Sequence, residues 1–127
     1  MSKKRVFTSF AMEDKTLRDF LIGQRNNNNS GIEFTDMSVK QPWDSSWKTN
    51  CRSRVKGCDG MIVIVTKNSR NADGQLWEVK CAKEEGVPLL GIWGHSSDKR
   101  TLVPLELKNI VIQDWTWANI SNWVGRL

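Results

Sequence analysis

"MIVIVTKNSRNADGQLWEVKCAKEEGVPLLGIW", residues 61–93, decides the fold. It opens on an unbroken apolar run, Met61 to Val65, mostly β-branched, the composition of a strand covered on both faces. A polar loop, "TKNSRNADG", follows, then a helical segment that stops at Gly86, then "VPLLGIW", a strand that tolerates Pro88 near its start. A strand, a crossover helix and a second strand joined this closely run parallel with a right-handed connection. Residues 61–65 therefore read as the centre of a parallel sheet.

Toward the N-terminus the same unit recurs. "VFTSF", Val6 to Phe10, alternates apolar and polar residues as a first strand, and "MEDKTLRDFLIGQR" places Leu17, Phe20 and Leu21 at helical spacing. Asp14 is positioned to cap that helix and Gly23 lies near its expected end. The polar patch "NNNNSG", residues 26–31, is a turn, and "GIEFTD" alternates Ile32 and Phe34 with Glu33 and Thr35 in a short second strand ending at Asp36. "MSVKQPW" is loop, since Pro42 turns the residue before it away from helical geometry. From Asp44, a plausible cap, Trp47, Cys51 and Val55 recur every four residues up to Gly57.

Toward the C-terminus "NIVI", residues 109–112, is a weaker fifth strand, and "TWANISNWVGRL" closes the chain with a helix capped by Thr116. The order is β-α-β-α-β-α-β-β-α, a doubly wound α/β fold: a mostly parallel five-stranded sheet with helices on both faces, in one domain spanning residues 1–127. Ligands in such folds bind outside the carboxyl ends of the strands, where strand order reverses. Three segments meet there: "TSFAMED", "DMSVKQPWD" and "TKNSRNADGQLWE".

Composition narrows the function. The longest apolar run falls far short of the roughly 20 residues a membrane-spanning helix needs. The basic start "MSKKRVFTSF" lacks the apolar core and cleavage site of a signal peptide, so a cytoplasmic location is expected. Cys51, Cys58 and Cys81 form no CxxC pair, and the single histidine, His95, completes no familiar zinc site with them; reduced thiols and no metal are expected. The net charge of +5 is dispersed along the chain and suits an anionic ligand or plain solubility. Neither a nucleic acid nor a membrane is expected as a partner. Seven tryptophans without a tyrosine supply both core area and stacking surfaces; Trp115, Trp117 and Trp123 on the closing segment read as core.

Motifs exclude several chemistries. No GxGxxG follows the first strand, no GxxxxGK[ST] occurs, and no GxSxG elbow presents a serine nucleophile. Receiver-type phosphotransfer needs an aspartate at the end of the third strand, where Thr66 and Lys67 stand instead, although Glu13 and Asp14 follow the first strand. Glu78 remains. Read as lying on the first turn of its helix, it is favoured by the helix dipole, about 0.3–1 kcal/mol. Beside Trp77 at a cleft mouth it is equally suited to hydrogen-bond sugar hydroxyls and stabilise an oxocarbenium ion. Spacing alone allows either.

"RVFTSFAMEDKTL", "IEFTDMSVKQPWDSSWK" and "GCDGMIVIVTKNSRNADGQLWEVKCAKEEGVPLLGIW" resemble, in order, the successive blocks of a TIR (Toll/interleukin-1 receptor) domain, and more closely the bacterial TIR-like family that includes the sensor proteins of Thoeris anti-phage defence. The resemblance covers roughly residues 4–93 and rests on the ordered set. It implies a flavodoxin-like domain, some members of which cleave the nicotinamide-ribose bond of NAD to give nicotinamide and ADP-ribose or a cyclic isomer that activates a separate effector. NAD is then substrate, and no cofactor is required.

By the same resemblance Glu78, eight residues before Gly86, matches the catalytic glutamate, and Ser9 and Phe10 match the loop lining the nucleotide site. Asp36 and the segment up to Trp43 match the loop that gates it. Many enzymatic members carry a tryptophan four residues before the glutamate, where this chain has Gly74; Trp77 or Trp43 is the substitute stacking surface. Self-association of TIR domains and a phage component as trigger are further implications. The rival reading is a non-catalytic scaffold that acts through TIR–TIR assembly, with "DMSVKQPWDSSW" as its surface.

Overall fold

The computed structural model describes residues 4–28, 30–37 and 39–127; the basic start at 1–3, position 29 of "NNNNSG" and position 38 of "MSVKQPW" lie outside the described residues. Strands β1 (Arg5–Ser9), β2 (Glu33–Thr35), β3 (Gly60–Val65), β4 (Leu89–Trp93) and β5 (Ile112–Gln113) form one sheet in the order β2-β1-β3-β4-β5. Every pairing is parallel, with Ser9 opposite Val63 and Val65 opposite Trp93. Helices α1 (Lys15–Asn27), α2 (Ser45–Lys56), α3 (Asp73–Glu84) and α4 (Trp117–Val124) cover it. The flavodoxin-like order expected from the sequence is the one found.

The central strand explains why. All residues of β3 are buried, and their alternation sends them to opposite layers. Met61, Val63 and Val65 join Phe7 and the α2–α3 residues Trp47, Cys51, Val55 and Val79 in one cluster. Ile62 and Ile64 join Val6, Leu21 of α1 and Ile120 and Trp123 of α4 in the other. Trp115 and Trp117 pack against that second cluster, so the closing tryptophans finish the core as expected. Truncating a residue such as Ile62 to alanine removes transfer energy and leaves a cavity, together about 2–5 kcal/mol.

Side-chain caps open two of the four helices, α2 and α4. The Asp44 carboxylate accepts from Trp47 N at 3.0 Å, and Thr116 Oγ1 from Asn119 N at 3.1 Å, as the sequence predicts. Gly86, just beyond α3, takes φ +70°, a conformation other residues rarely adopt. All three cysteines are free and buried, and burial pushes the Cys58 thiol up to about 11. These thiols are therefore packing groups.

Four local expectations change. Asp14 does not cap α1: its carboxylate accepts from Thr66 Oγ1 at 2.5 Å and Asn68 Nδ2 at 3.0 Å, tying the end of β1 to that of β3. Gly23 is interior to α1, which runs on to Asn27. The fifth strand is shorter and later than "NIVI", since the path from β4 to β5 is filled by 3-10 turns at Ser96–Arg100 and Leu105–Leu107. Finally, α3 begins at Asp73 and not beside Glu78, which falls in the second turn, beyond the reach of the helix's N-terminal dipole.

Candidate active site

Strand order reverses between β1 and β3, and the carboxyl ends of these strands carry the most unusual polar cluster among the described residues. Glu78 is fully buried there. Its second-turn position on α3 faces the end of β1, where Ser9 Oγ donates to Oε1 at 2.8 Å. One turn earlier on the same helix face, Gln75 is also fully buried; its Nε2 donates to Ser9 O at 3.2 Å and Ile64 O at 2.8 Å. That amide clamps the ends of β1 and β3 together beneath the carboxylate. Gln75 Oε1 has no hydrogen-bond partner among the described residues.

The counter-ion comes from the loop after β2. Lys40 Nζ donates to Glu78 Oε1 at 2.9 Å and to Oε2 at 2.7 Å. Its side chain is only 4% exposed and its ammonium stands 4.2 Å from the centroid of the Phe10 ring. Burial pushes the Glu78 carboxyl up to about 7, against the opposing pull of the Lys40 charge and the bonds from Lys40 and Ser9. A carboxylate that titrates near neutrality in an enclosed polar site is the kind of group from which catalysis is built. The cleft above it, about 230 Å³, is lined by Ala11, Met12, Lys40, Pro42, Gly74 and Gln75 among others.

Of the residues singled out by sequence, Ser9 and Phe10 therefore lie with Glu78. Asp36 does not line the cleft: it holds Arg18, whose Nη1 donates to its Oδ2 at 2.8 Å while the same guanidinium lies 5.3 Å from the Phe10 ring centroid. Trp43 and Trp77 lie elsewhere. Although Trp77 precedes Glu78 in sequence, the helix turns its indole toward Lys48 and Arg52 of α2, which with Lys80 of α3 surround it at 5.0–5.4 Å. Trp43, 78% exposed, shares with it a groove of about 660 Å³ that also includes Leu76, Lys48 and Lys80. Pro42 and Asp73 border both this groove and the Glu78 cleft, so the two adjoin.

Sequence reasoning missed Lys40 and Gln75. Lys40 sits in an irregular loop with no periodicity to mark it, 38 positions from its partner. One signal was present: Gly74. A Cβ at that position would stand 2.9 Å from Lys40 Cδ and 3.0 Å from Lys40 Cβ, so the glycine is what lets the lysine stem pass over α3.

A parallel sheet in this order, with a buried glutamate at the switch point beneath the loop after β2, defines a TIR-like domain. A crystal structure of a prokaryotic SEFIR domain is similar in fold, with a TM-score of 0.61 over 98% of this chain and 95% of that one at 12% identity. A family model described as "Thoeris protein ThsB, TIR-like domain" matches residues 7–99, and the chain belongs to that family. No curated protein sequence matches it significantly.

Proposed function

We propose that the protein is an NAD-cleaving enzyme of anti-phage defence that breaks the nicotinamide-ribose bond and releases a cyclic ADP-ribose isomer as a signal to a separate effector. The observation that carries this reading is the buried Glu78 carboxylate, bonded by Ser9 and Lys40, within a chain of the Thoeris ThsB family. In the reaction the bond between the anomeric carbon and the pyridinium nitrogen breaks, and its electron pair leaves with neutral nicotinamide. Positive charge develops on the ribose. An ionised Glu78 beside the ring stabilises that charge and holds the ribose hydroxyls; a nucleophile within ADP-ribose then bonds to the anomeric carbon and sheds its proton to solvent, closing a cyclic isomer where attack by water would give linear ADP-ribose. Phe10 supplies an apolar face beside Lys40, and Asp36 holds Arg18 against that ring. Trp43 and Trp77, in the adjoining groove, offer stacking surface to the adenine end. A phage component triggers activity, in the cytoplasm.

The test is incubation of the purified protein with NAD, alone and in lysate from phage-infected cells, with nicotinamide and ADP-ribose isomers followed by mass spectrometry beside Glu78→Gln. A cyclic product from wild type, reduced at least about a hundredfold in the variant, is the expected result. Equal rates in the two proteins would overturn the assignment of Glu78.

A second reading has one observation in its favour: Val39 and Trp43, on the same loop, are 63% and 78% exposed. Apolar side chains displayed this way suit a TIR–TIR assembly surface. Concentration-dependent oligomers that Trp43→Ala abolishes, with no turnover in infected lysate, would select the scaffold over the enzyme.

A further inference from the structure

Among the described residues lining the Glu78 cleft Lys40 is the one cation, beside the acidic Glu13 and Asp73, and the reaction above assigns it no task. Its ammonium engages both carboxylate oxygens, and Ser9 takes a further position on Oε1. A ribose diol therefore meets Glu78 only when Lys40 leaves. The lysine is held in place from both sides: Trp47 Nε1 donates to Val39 O at 2.8 Å, and the stem lies against Gly74 with no room for a Cβ between them. A buried ammonium that loses its carboxylate without gaining another anion is strongly unfavourable. A ligand that brings an anion of its own removes that obstacle.

We propose that Lys40 is a specificity-determining residue: its ammonium occupies Glu78 in the resting molecule and transfers to an anionic group of the entering ligand, so the cleft admits phosphorylated ribosides in preference to unphosphorylated ones. Gly74 is the seat that makes the resting pairing possible. The proposal rests on the reading of Glu78 as the ribose-binding carboxylate. A lysine that merely braces the loop would affect all ribosides alike.

Nicotinamide mononucleotide and nicotinamide riboside share the scissile bond and differ by one phosphate, so they separate the two roles. Both meet the same Glu78, and any change in its ionisation cancels in the ratio of their kcat/KM values. Wild type should favour the mononucleotide, and Lys40→Met should shrink that preference by about tenfold to a hundredfold, the loss of a charge-assisted hydrogen bond. An unchanged ratio in Lys40→Met would overturn the proposal while leaving the NAD reading in place. If no nucleotide is turned over even in infected lysate, that reading falls, and the same ratio taken from dissociation constants of the two ligands decides the proposal; equal affinities, or no binding of either, would overturn it.

The resting pairing has its own measurement, independent of catalysis. An amine-reactive label, read by peptide mass spectrometry, should modify Lys40 at least about tenfold more slowly than exposed Lys56 in wild type. Gly74→Ala, whose Cβ displaces the lysine stem, should remove most of that protection. Lys40 labelled as fast as Lys56 in wild type would overturn the seat and the pairing together.

Discussion

The molecule has two neighbouring hollows that share Pro42 and Asp73 and differ in almost everything else. The groove along α3, flanked by Trp43, Lys48 and Glu106, is nearly three times the larger, about 660 Å³ against about 230 Å³, with two indoles and lysines around them. The Glu78 cleft is small and closed by a lysine bonded to its own carboxylate. Size alone would choose the groove as the site of chemistry. Yet Lys80, Lys83, Glu84 and Glu106 around the groove are exposed, whereas the cleft lies over a fully buried carboxylate that burial raises to about 7. Volume marks where a ligand fits, and desolvated charge marks where a bond breaks.

The largest test of that contrast is Glu78→Gln, expected to lower NAD cleavage by about a thousandfold, because only an ionised group stabilises developing positive charge. Next is the ion pair itself. The Glu78 carboxyl lies at about 7 in the folded protein against an ordinary value of 4.5, so folding favours its protonated form. Its contribution to stability is fully present below about pH 4.5 and is lost as pH rises through about 7. Lys40→Met removes the cation bonded to the ionised form. Denaturant titration should therefore show a loss of about 3 kcal/mol at about pH 8.5, where wild-type Glu78 is charged, shrinking to about 1 kcal/mol near pH 5.5. A loss equal at both pH values would mean that Lys40 stabilises the loop by packing alone.

The cleft and the groove were unequally legible in the sequence, for a physical reason. Glu78, Ser9 and Phe10 lie on or immediately beside regular elements, whose periodicity places residues without knowledge of distant partners. The buried run of β3 and the caps at Asp44 and Thr116 were readable on the same ground. Lys40 is fixed by tertiary contact alone: an indole bond to Val39, a ring at Phe10, a missing side chain at Gly74. No local pattern encodes that convergence. The early start of α3 has a similar origin, since the 3-10 turn at Ser69–Asn71 leads directly into the helix and moves Glu78 one turn inward. Trp77 shows the opposite error, because adjacency in sequence becomes separation when a helix turns about 100° per residue.

The pH dependence of turnover sharpens the cleft's side of the comparison. In the proposed mechanism Glu78 acts ionised, so kcat/KM for NAD should rise with pH and level off above about 7, falling about tenfold per unit below it. A limb near 4.5, the ordinary glutamate value, would show that burial does not hold the charge back in the free enzyme.

The smallest expected effect lies in the groove. Trp43 is 78% exposed, so Trp43→Ala should leave stability within about 0.5 kcal/mol of wild type. Its indole gains a partner only when a ligand crosses Pro42 from the cleft. A stacked adenine contributes about 1–3 kcal/mol, and an indole partnered on one face belongs at the low end. The variant should accordingly raise KM for NAD about fivefold with kcat nearly unchanged, and leave nicotinamide mononucleotide, which has no adenine, unaffected. Equal effects on both substrates would place Trp43 in the movement of the loop that carries Lys40, and the two hollows would then work as one site.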